Sequence, residues 1–88
     1  MGKKVYNLPL GGGSMKVKVK LFTTLREGRG KELMVELEEG DTPQKVIDIL
    51  NIKKEDVAIL LINGRSAEFD AKLAEGDVLS LFPPVGGG

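Results

Sequence analysis

Strict alternation between charged and apolar residues, in two neighbouring segments, is the feature that most constrains this fold. The apolar members are Val17, Val19 and Leu21 in residues 16–22, and Leu33, Val35 and Leu37 in residues 32–38. A period of two places such side chains on one face of a half-buried strand. Residues 26–31 between them are charged and carry two glycines, which predicts the turn of a hairpin with lysines facing glutamates.

A helix is predicted after the hairpin, at Asp41-Thr42-Pro43. Thr42 is the expected N-cap, whose side chain accepts a hydrogen bond from a helix amide, and Pro43 suits the first helical position. Residues Pro43, Val46, Ile47 and Leu50 have the spacing of one buried helix face. We expect Asn51 to end the helix.

The second half of the chain predicts three further strands. The apolar residues 57–62 stop at Asn63-Gly64, which indicates a central strand followed by a tight reversal. A short strand near residues 65–68 and a last strand over residues 78–82 follow. This order predicts an α+β fold, in which a mixed sheet of four to five strands packs on one main helix, as in the β-grasp or ubiquitin-like arrangement.

The first fourteen residues differ in composition from the rest. They contain Gly11-Gly12-Gly13-Ser14, followed by a second methionine, Met15. This pattern is typical of an appended tag and a Gly-Gly-Gly-Ser linker, so residues 1–14 are predicted to lie outside the fold. The alternative is that residues 3–10 are a short peptide tethered to meet a binding surface. The predicted domain covers residues 15–82, and residues 83–88 form an extended tail.

Composition excludes most side-chain chemistry. The 88 residues suit one domain, and they include neither cysteine nor histidine, which removes disulfides, thiol catalysis, imidazole chemistry and nearly all zinc or copper sites. Thirteen basic residues balance thirteen acidic ones, so no nucleic-acid partner is expected. The apolar run over residues 57–62 is far shorter than the roughly 20 residues of a membrane-spanning helix. A cytoplasmic protein with no metal site is the expectation.

The tail carries the strongest functional signal. Pro83 and Pro84 lack amide donors, so they are expected to end strand pairing and send the tail outward. Val85 follows, and then Gly86, Gly87 and Gly88, which have no side chains and can enter a narrow channel. The carboxylate of Gly88 is then the one reactive group at the tip of a reaching arm.

The chain resembles a known family over about the whole of residues 15–88, weakly up to the helix and most sharply in the tail. The residues that carry the likeness are Asn63-Gly64, Phe69-Asp70, Leu73, Gly76-Asp77-Val78 and Phe82-Pro83-Pro84-Val85 with a terminal glycine pair. Together they resemble the MoaD family, the small subunit of molybdopterin synthase, within the MoaD/ThiS sulfur carriers. Gly86 departs from the usual small or small polar residue, whereas Gly87 and Gly88 match.

The resemblance implies a reaction cycle centred on Gly88. An E1-like adenylating enzyme (MoeB-like) uses ATP and magnesium to adenylate the carboxylate, and a sulfur donor converts it to a thiocarboxylate. The tail then enters the large subunit of molybdopterin synthase (MoaE-like), where the sulfur is used for molybdenum or tungsten cofactor biosynthesis. The implied protein is a sulfur-donating subunit that is not catalytic alone and binds no cofactor itself.

A partner surface is expected beside the tail. With Leu79 and Leu81 inward, Ser80 and Phe82 point outward next to Leu61. By similarity to ubiquitin-like proteins this patch meets the partners, and Arg65 and Lys72 are candidates for guiding an acidic or phosphate-bearing site. The alternatives are that Phe82 and Leu61 are core residues and that the two cations are simply solvated. The acids Glu36, Glu38, Glu39 and Asp41 are predicted to form a solvated rim rather than a metal site.

Several functions remain open on the sequence. One is a sulfur carrier and synthase subunit, and a thiamine-type sulfur carrier is a variant of it. Another is a protein modifier that forms isopeptide bonds through Gly88. A third is a passive ubiquitin-like binding module, for which the terminal glycines are an inert or appended tail. The products distinguish the three: a carrier forms a thiocarboxylate, a modifier forms lysine conjugates, and a passive module forms neither.

Overall fold

The computed structural model describes residues 5–6 and 14–85. Its strands are β1 (Val5–Tyr6), β2 (Ser14–Leu21), β3 (Glu32–Glu38), β4 (Ile59–Ile62), β5 (Arg65–Ser66) and β6 (Val78–Phe82). One α-helix, α1 (Pro43–Ile49), and two 3₁₀ turns, Thr23–Arg26 and Lys54–Asp56, complete the described elements. The described residues contain no helix that is long and apolar enough to cross a membrane.

The strands form one mixed sheet in the order β1-β3-β2-β6-β4-β5. The predicted hairpin is confirmed as β2 and β3, which pair antiparallel with Lys16 opposite Glu36 and Lys20 opposite Glu32. In the middle of the sheet β2 pairs parallel with β6, from Lys18 opposite Val78 to Leu21 opposite Leu81. With α1 packed on one face, this is the predicted β-grasp fold.

The position of β4 differs from the prediction of a central strand. It lies between β6 and the two-residue strand β5, and its ladder spans four residues, Ile59–Ile62. A continuous apolar run usually indicates a strand buried on both faces. Here Leu60 is buried whereas Ile59 is half exposed, so the run has one core face and one open face.

The core lies between α1 and one face of the sheet. Its largest fully buried side chains are Val17, Val19 and Leu21 on β2, Leu33, Val35 and Leu37 on β3, Leu79 and Leu81 on β6, and Pro43, Val46 and Ile47 on α1. Both predicted periodicities, two for the strands and 3.6 for the helix, are therefore confirmed. No polar or charged residue is buried among the described residues.

The start of α1 corrects one local prediction. Thr42 has the extended backbone of an N-cap, but its side chain makes no capping hydrogen bond. Instead the N–H of Gln44 donates to the C=O of Phe69, at 3.0 Å, so a distant loop satisfies a helix amide. At the other end α1 stops at Ile49, and Asn51 follows in the left-handed region with φ 61°.

The amino-terminal boundary also differs from the expected one. Ser14 is the first residue of β2 rather than the last residue of a linker. Within the segment predicted to lie outside the fold, Val5–Tyr6 pairs parallel with β3, with Val5 opposite Met34 and Tyr6 opposite Val35. At least two of these residues therefore belong to the sheet.

The predicted Asn63-Gly64 reversal is confirmed and does more than turn the chain. Both residues have positive φ, 53° and 83°. The side chain of Asn63 accepts the N–H of Val78 at 3.0 Å and donates to the carboxylate of Asp77 at 2.9 Å. That carboxylate also accepts the N–H of Ala74 at 2.8 Å. The turn thus fixes the start of β6.

Replacing Asn63 separates the two contributions of this residue. We expect Asn63→Ala to lower the free energy of unfolding by about 2 kcal/mol, because it loses two hydrogen bonds and the tolerance for positive φ. Asn63→Gly keeps the backbone conformation and loses only the hydrogen bonds, so about 1 kcal/mol is expected. Urea unfolding measures both. Equal losses for the two variants would contradict a contribution from the left-handed backbone.

Candidate functional site: the root of the tail and the open sheet face

The tail begins where strand pairing stops, as predicted from the two prolines. The N–H of Ala58 donates to the C=O of Phe82 at 2.7 Å, and β6 ends at Phe82. Pro83 and Pro84 have no N–H to continue the ladder. Val85 is 91% exposed, so the chain has left the domain surface at that point. The predicted reactive residue Gly88, together with Gly86 and Gly87, lies outside the described residues.

An aromatic stack holds the root of the tail in place. The rings of Phe22 and Phe82 are nearly parallel, with 4.1 Å between centroids and 10° between planes. The guanidinium of Arg26 lies 5.6 Å from the centroid of Phe22, and its Nε donates to the C=O of Leu21 at 2.9 Å. Because Phe82 is the last strand residue, the stack fixes the point from which the tail departs.

The predicted partner residues Phe82, Leu61 and Ser80 share the face of the sheet that α1 leaves open. Leu61 lies opposite Ser80 across the β4–β6 ladder, and Ile59 lies opposite Phe82. The three predicted residues are half-buried and lie outside the core cluster, which answers the alternative that Phe82 and Leu61 are core residues. Ile59 is 50% exposed, and Ile59 and Val85 are the exposed large hydrophobic residues of the described chain.

Charge changes across this open face from one side to the other. The apolar patch of β4 and β6 is bordered by Lys18 and Lys20 of β2, which pair with Val78 and Ser80. Farther out, glutamates of β3 face the lysines of β2. A partner that covers the apolar patch therefore meets a row of lysines along one margin.

Arg65 and Lys72 do not join this patch. Arg65 pairs with Ile62, which lies opposite Leu79 near the start of β6, away from the tail. Lys72 lines a shallow hollow with Ser14 and Glu39, at the opposite end of β2 from Phe22. Both side chains are exposed. The geometry thus groups Phe82, Leu61 and Ser80, and it separates the two cations from them.

Beneath the tail root lies an open groove of about 340 Å³. Its lining residues are Thr24, Leu25, Glu27, Arg29, Ile52, Asp56, Pro83 and Pro84. Arg29 is held there by carbonyl oxygens: its side chain donates to Leu50 at 3.1 Å, to Asn51 at 3.2 Å and to Leu25 at 3.2 Å. It therefore ties the hairpin loop to the end of α1 and supports the wall below the tail.

Sequence reasoning missed Ile59, Phe22 and Arg29. Strand alternation could have indicated the first two. Ile59 is two residues from Leu61 and so shares its face, and Phe22 is two residues beyond Lys20 on the lysine face of β2. Nothing local indicated the third, since Arg29 lies in a charged turn and its partners at the end of α1 are about twenty residues away in sequence.

The side chains of the described residues also bear on metal binding. The described residues contain no group of three or more histidine, cysteine, aspartate or glutamate side chains that could hold a metal ion. The acids at positions 36, 38, 39 and 41 belong to no such group, and Asp41 instead accepts the N–H of Glu38 at 3.0 Å. The described residues thus form a ubiquitin-like domain with an apolar patch on its open face, at the root of a carboxyl-terminal tail.

The chain belongs to the ThiS family, whose model matches residues 19–88. Comparison with curated proteins gives no match. Among solved structures, the chain is 33% identical to molybdopterin converting factor, subunit 1, of Pyrococcus furiosus, covering 81% of this chain and 99% of that chain with a TM-score of 0.65.

Two further solved structures bear on function. The Haloferax volcanii small archaeal modifier protein 1 is 28% identical, over 81% of this chain and 99% of that chain, with a TM-score of 0.70. A complex of subunits 1 and 2 of the molybdopterin-converting factor from Helicobacter pylori gives 28% identity, over 84% of this chain and 100% of that chain, with a TM-score of 0.58. The neighbours thus include both converting-factor subunits and protein modifiers.

A double-mutant cycle tests the clamp at the tail root. We expect Phe22→Leu and Phe82→Leu to be coupled by about 0.5–1.5 kcal/mol in the free energy of unfolding, because each substitution removes the same ring stack. Urea unfolding of the two single variants and the double variant gives the coupling energy. Strictly additive losses would mean that the stack does not stabilise this end of the sheet.

Proposed function

We propose that this protein is a sulfur carrier that donates sulfur as a thiocarboxylate on Gly88, acting as the small subunit of a molybdopterin synthase. The observation that carries the proposal is the position of the two exposed large hydrophobic residues, Ile59 and Val85. The first lies opposite Phe82 on the open face, and the second lies in the tail that starts there. A surface for docking and an arm for delivery thus share one corner of the domain.

The chemistry that the proposal requires begins at the carboxylate of Gly88. One carboxylate oxygen attacks the α-phosphorus of ATP in an E1-like, MoeB-like enzyme, and pyrophosphate leaves. The terminal sulfur of a persulfide donor then attacks the acyl carbon and AMP leaves. A second thiol cleaves the resulting acyl disulfide, which frees the thiocarboxylate and leaves a disulfide on the donor. ATP and magnesium belong to the activating enzyme, and the carrier binds no cofactor.

The carrier supplies the nucleophile and its position. In the proposed complex the apolar patch of Ile59, Leu61 and Phe82 docks on a MoaE-like large subunit, and the tail delivers sulfur to the pterin precursor for molybdenum or tungsten cofactor biosynthesis. Holding the tail root by the stack of Phe22 on Phe82 limits the volume that the terminal group searches. The solved Helicobacter pylori complex of subunits 1 and 2 supports a partner of this kind. We assign the reaction to the cytoplasm.

A second candidate is a protein modifier, favoured by the similarity to the Haloferax volcanii small archaeal modifier protein 1. It shares the adenylation of Gly88 and differs in the fate of the acyl group, which a lysine amine attacks to form an isopeptide bond. A thiamine-type carrier differs only in the acceptor of the sulfur. All three functions need the same tail. The product of the acyl group distinguishes a carrier from a modifier, and the acceptor of the sulfur distinguishes the two carriers.

Intact mass after activation tests the proposal. The full chain is incubated with ATP, magnesium, an E1-like activating enzyme and a persulfide donor, beside a copy that lacks Gly88. We expect the full chain to gain the mass of one oxygen replaced by sulfur, and the shortened copy to stay unchanged. Lysine conjugates without a thiocarboxylate would favour the modifier, and no product with a competent enzyme would contradict both functions.

Binding to a MoaE-like large subunit tests the docking patch. We expect Ile59→Asp to raise the Kd about tenfold or more, because it places a charge in an apolar contact without touching the core. Ser14→Asp is the matched control, since it adds the same charge at an exposed position at the far end of β2. Calorimetry measures both affinities, and urea unfolding confirms that both variants fold. Equal affinities would contradict docking through this patch.

A further inference from the structure

The outer edge of β3 is the part of the sheet that the proposed function does not use. β3 is seven residues long and would be an edge strand but for β1, which covers it with Val5–Tyr6 in parallel register. An uncovered strand edge presents unpaired N–H and C=O groups that pair readily with another chain. What covers this edge therefore decides whether β3 pairs with other molecules.

The hydrogen bonds of β2 identify which groups of β3 face outward. The N–H of Leu21 donates to the C=O of Lys31 at 2.9 Å, and that of Lys18 points the other way, to Asp77 at 3.0 Å. Odd-numbered residues of β3 thus pair with β2, and even-numbered residues face the outer edge. At the end of the strand the N–H of Glu38 is satisfied by Asp41. Met34 and Glu36 are therefore the central residues whose backbone N–H and C=O groups face this outer edge.

The register of β1 fits these positions. With Val5 opposite Met34 and Tyr6 opposite Val35, the backbone of Tyr6 falls between Met34 and Glu36. In a parallel ladder this register directs the Tyr6 N–H to the C=O of Met34 and the Glu36 N–H to the C=O of Tyr6. The N–H of Val5 then points away from the sheet. Of these two neighbouring residues, only Tyr6 donates its N–H to β3.

The tether between β1 and β2 is long enough for this pairing within one molecule. Tyr6 and Ser14 are eight positions apart, which allows a reach of about 26 Å. The two ends are separated by two strand spacings, about 9.6 Å, across the sheet and by about 10 Å along the strands, the distance from the level of Val17 to Ser14. A tether with this margin keeps the segment at an effective concentration on the order of millimolar.

We propose that the outer edge of β3 is a strand-accepting surface, and that the chain's own segment around Tyr6 occupies it to keep the sheet from pairing with other molecules. A carrier that passes between several enzymes needs the tail corner free and the rest of the sheet closed. β1 closes the side of the sheet opposite to β4 and β5, and it leaves the docking patch of Ile59, Leu61 and Phe82 uncovered. The segment is therefore part of the working protein and holds it monomeric.

Amide hydrogen exchange of the full chain tests the proposal with two neighbouring proline variants. Tyr6→Pro removes the donor to the C=O of Met34 and so releases β1 from β3. The outward-facing N–H groups of Met34 and Glu36 are then uncovered, and we expect their exchange to become about tenfold faster. Val5→Pro removes an N–H that points outward and should leave both rates unchanged. Leu33 and Val35 donate to β2 and are the internal controls. Identical exchange at Met34 and Glu36 in wild type and Tyr6→Pro would overturn the proposal.

A second measurement identifies the occupant of the edge. Among the residues whose burial is described, every core residue lies within 15–81, so the chain starting at Met15 retains this core. Adding a synthetic peptide of residues 1–10 to this shortened chain should restore slow exchange at Met34 and Glu36, and the shortened chain alone should exchange fast there. If the shortened chain instead protects these amides by dimerising as its concentration rises, a second copy is the occupant and the proposal is wrong.

Discussion

The parallel pairing of β2 with β6 is the constraint on which the rest of the molecule depends. It joins the first long strand to the last one at the centre of the sheet, from Lys18 opposite Val78 to Leu21 opposite Leu81. Backbone bonds from Lys18 to Asp77 and from Gly76 to Lys16 begin this pairing, at 3.0 and 2.9 Å. Because the two strands are parallel, their carboxyl ends lie side by side, and there the rings of Phe22 and Phe82 stack. The tail begins at the same end of the sheet, directly after Phe82.

The same pairing divides the molecule into a structural face and a contact face. A period of two sends Leu79 and Leu81 into the core, where they meet α1, and sends Ser80 and Phe82 to the open face. The core face is sealed, and no polar or charged residue among those described is buried there. The open face keeps an apolar patch beside the tail, where Ile59 lies opposite Phe82.

Much of this architecture follows from local sequence pattern. Alternation predicted β2, β3 and their inward faces, helical spacing predicted the buried face of α1, and Asn63-Gly64 predicted the reversal after β4. These features depend on neighbouring residues, whose periodicity and turn chemistry can be read directly. The two prolines likewise predicted the end of β6 at Phe82.

Ile59 and Phe22 were missed although the strand alternation indicated them, whereas other missed features depend on distant contacts. Thr42 was predicted to cap α1 through its side chain, but the carbonyl of Phe69 satisfies a helix amide instead. Arg29 lies in a charged turn, and its carbonyl partners at Leu50 and Asn51 are brought near it only by the tertiary fold. Similarly, composition set residues 1–14 apart, whereas the register of β1 on β3 is a tertiary property. Local pattern contains no information about such pairings.

The proposed role of the domain is to present the free carboxylate of Gly88 for activation. Pyrophosphate exchange into ATP, catalysed by an E1-like activating enzyme, measures the adenylation step that the carrier and modifier functions share. The chain ending at Gly88 should support exchange, and a chain extended by one alanine should not, although both fold alike. Equal exchange with both chains would show that the reactive group is elsewhere and would contradict this role of Gly88.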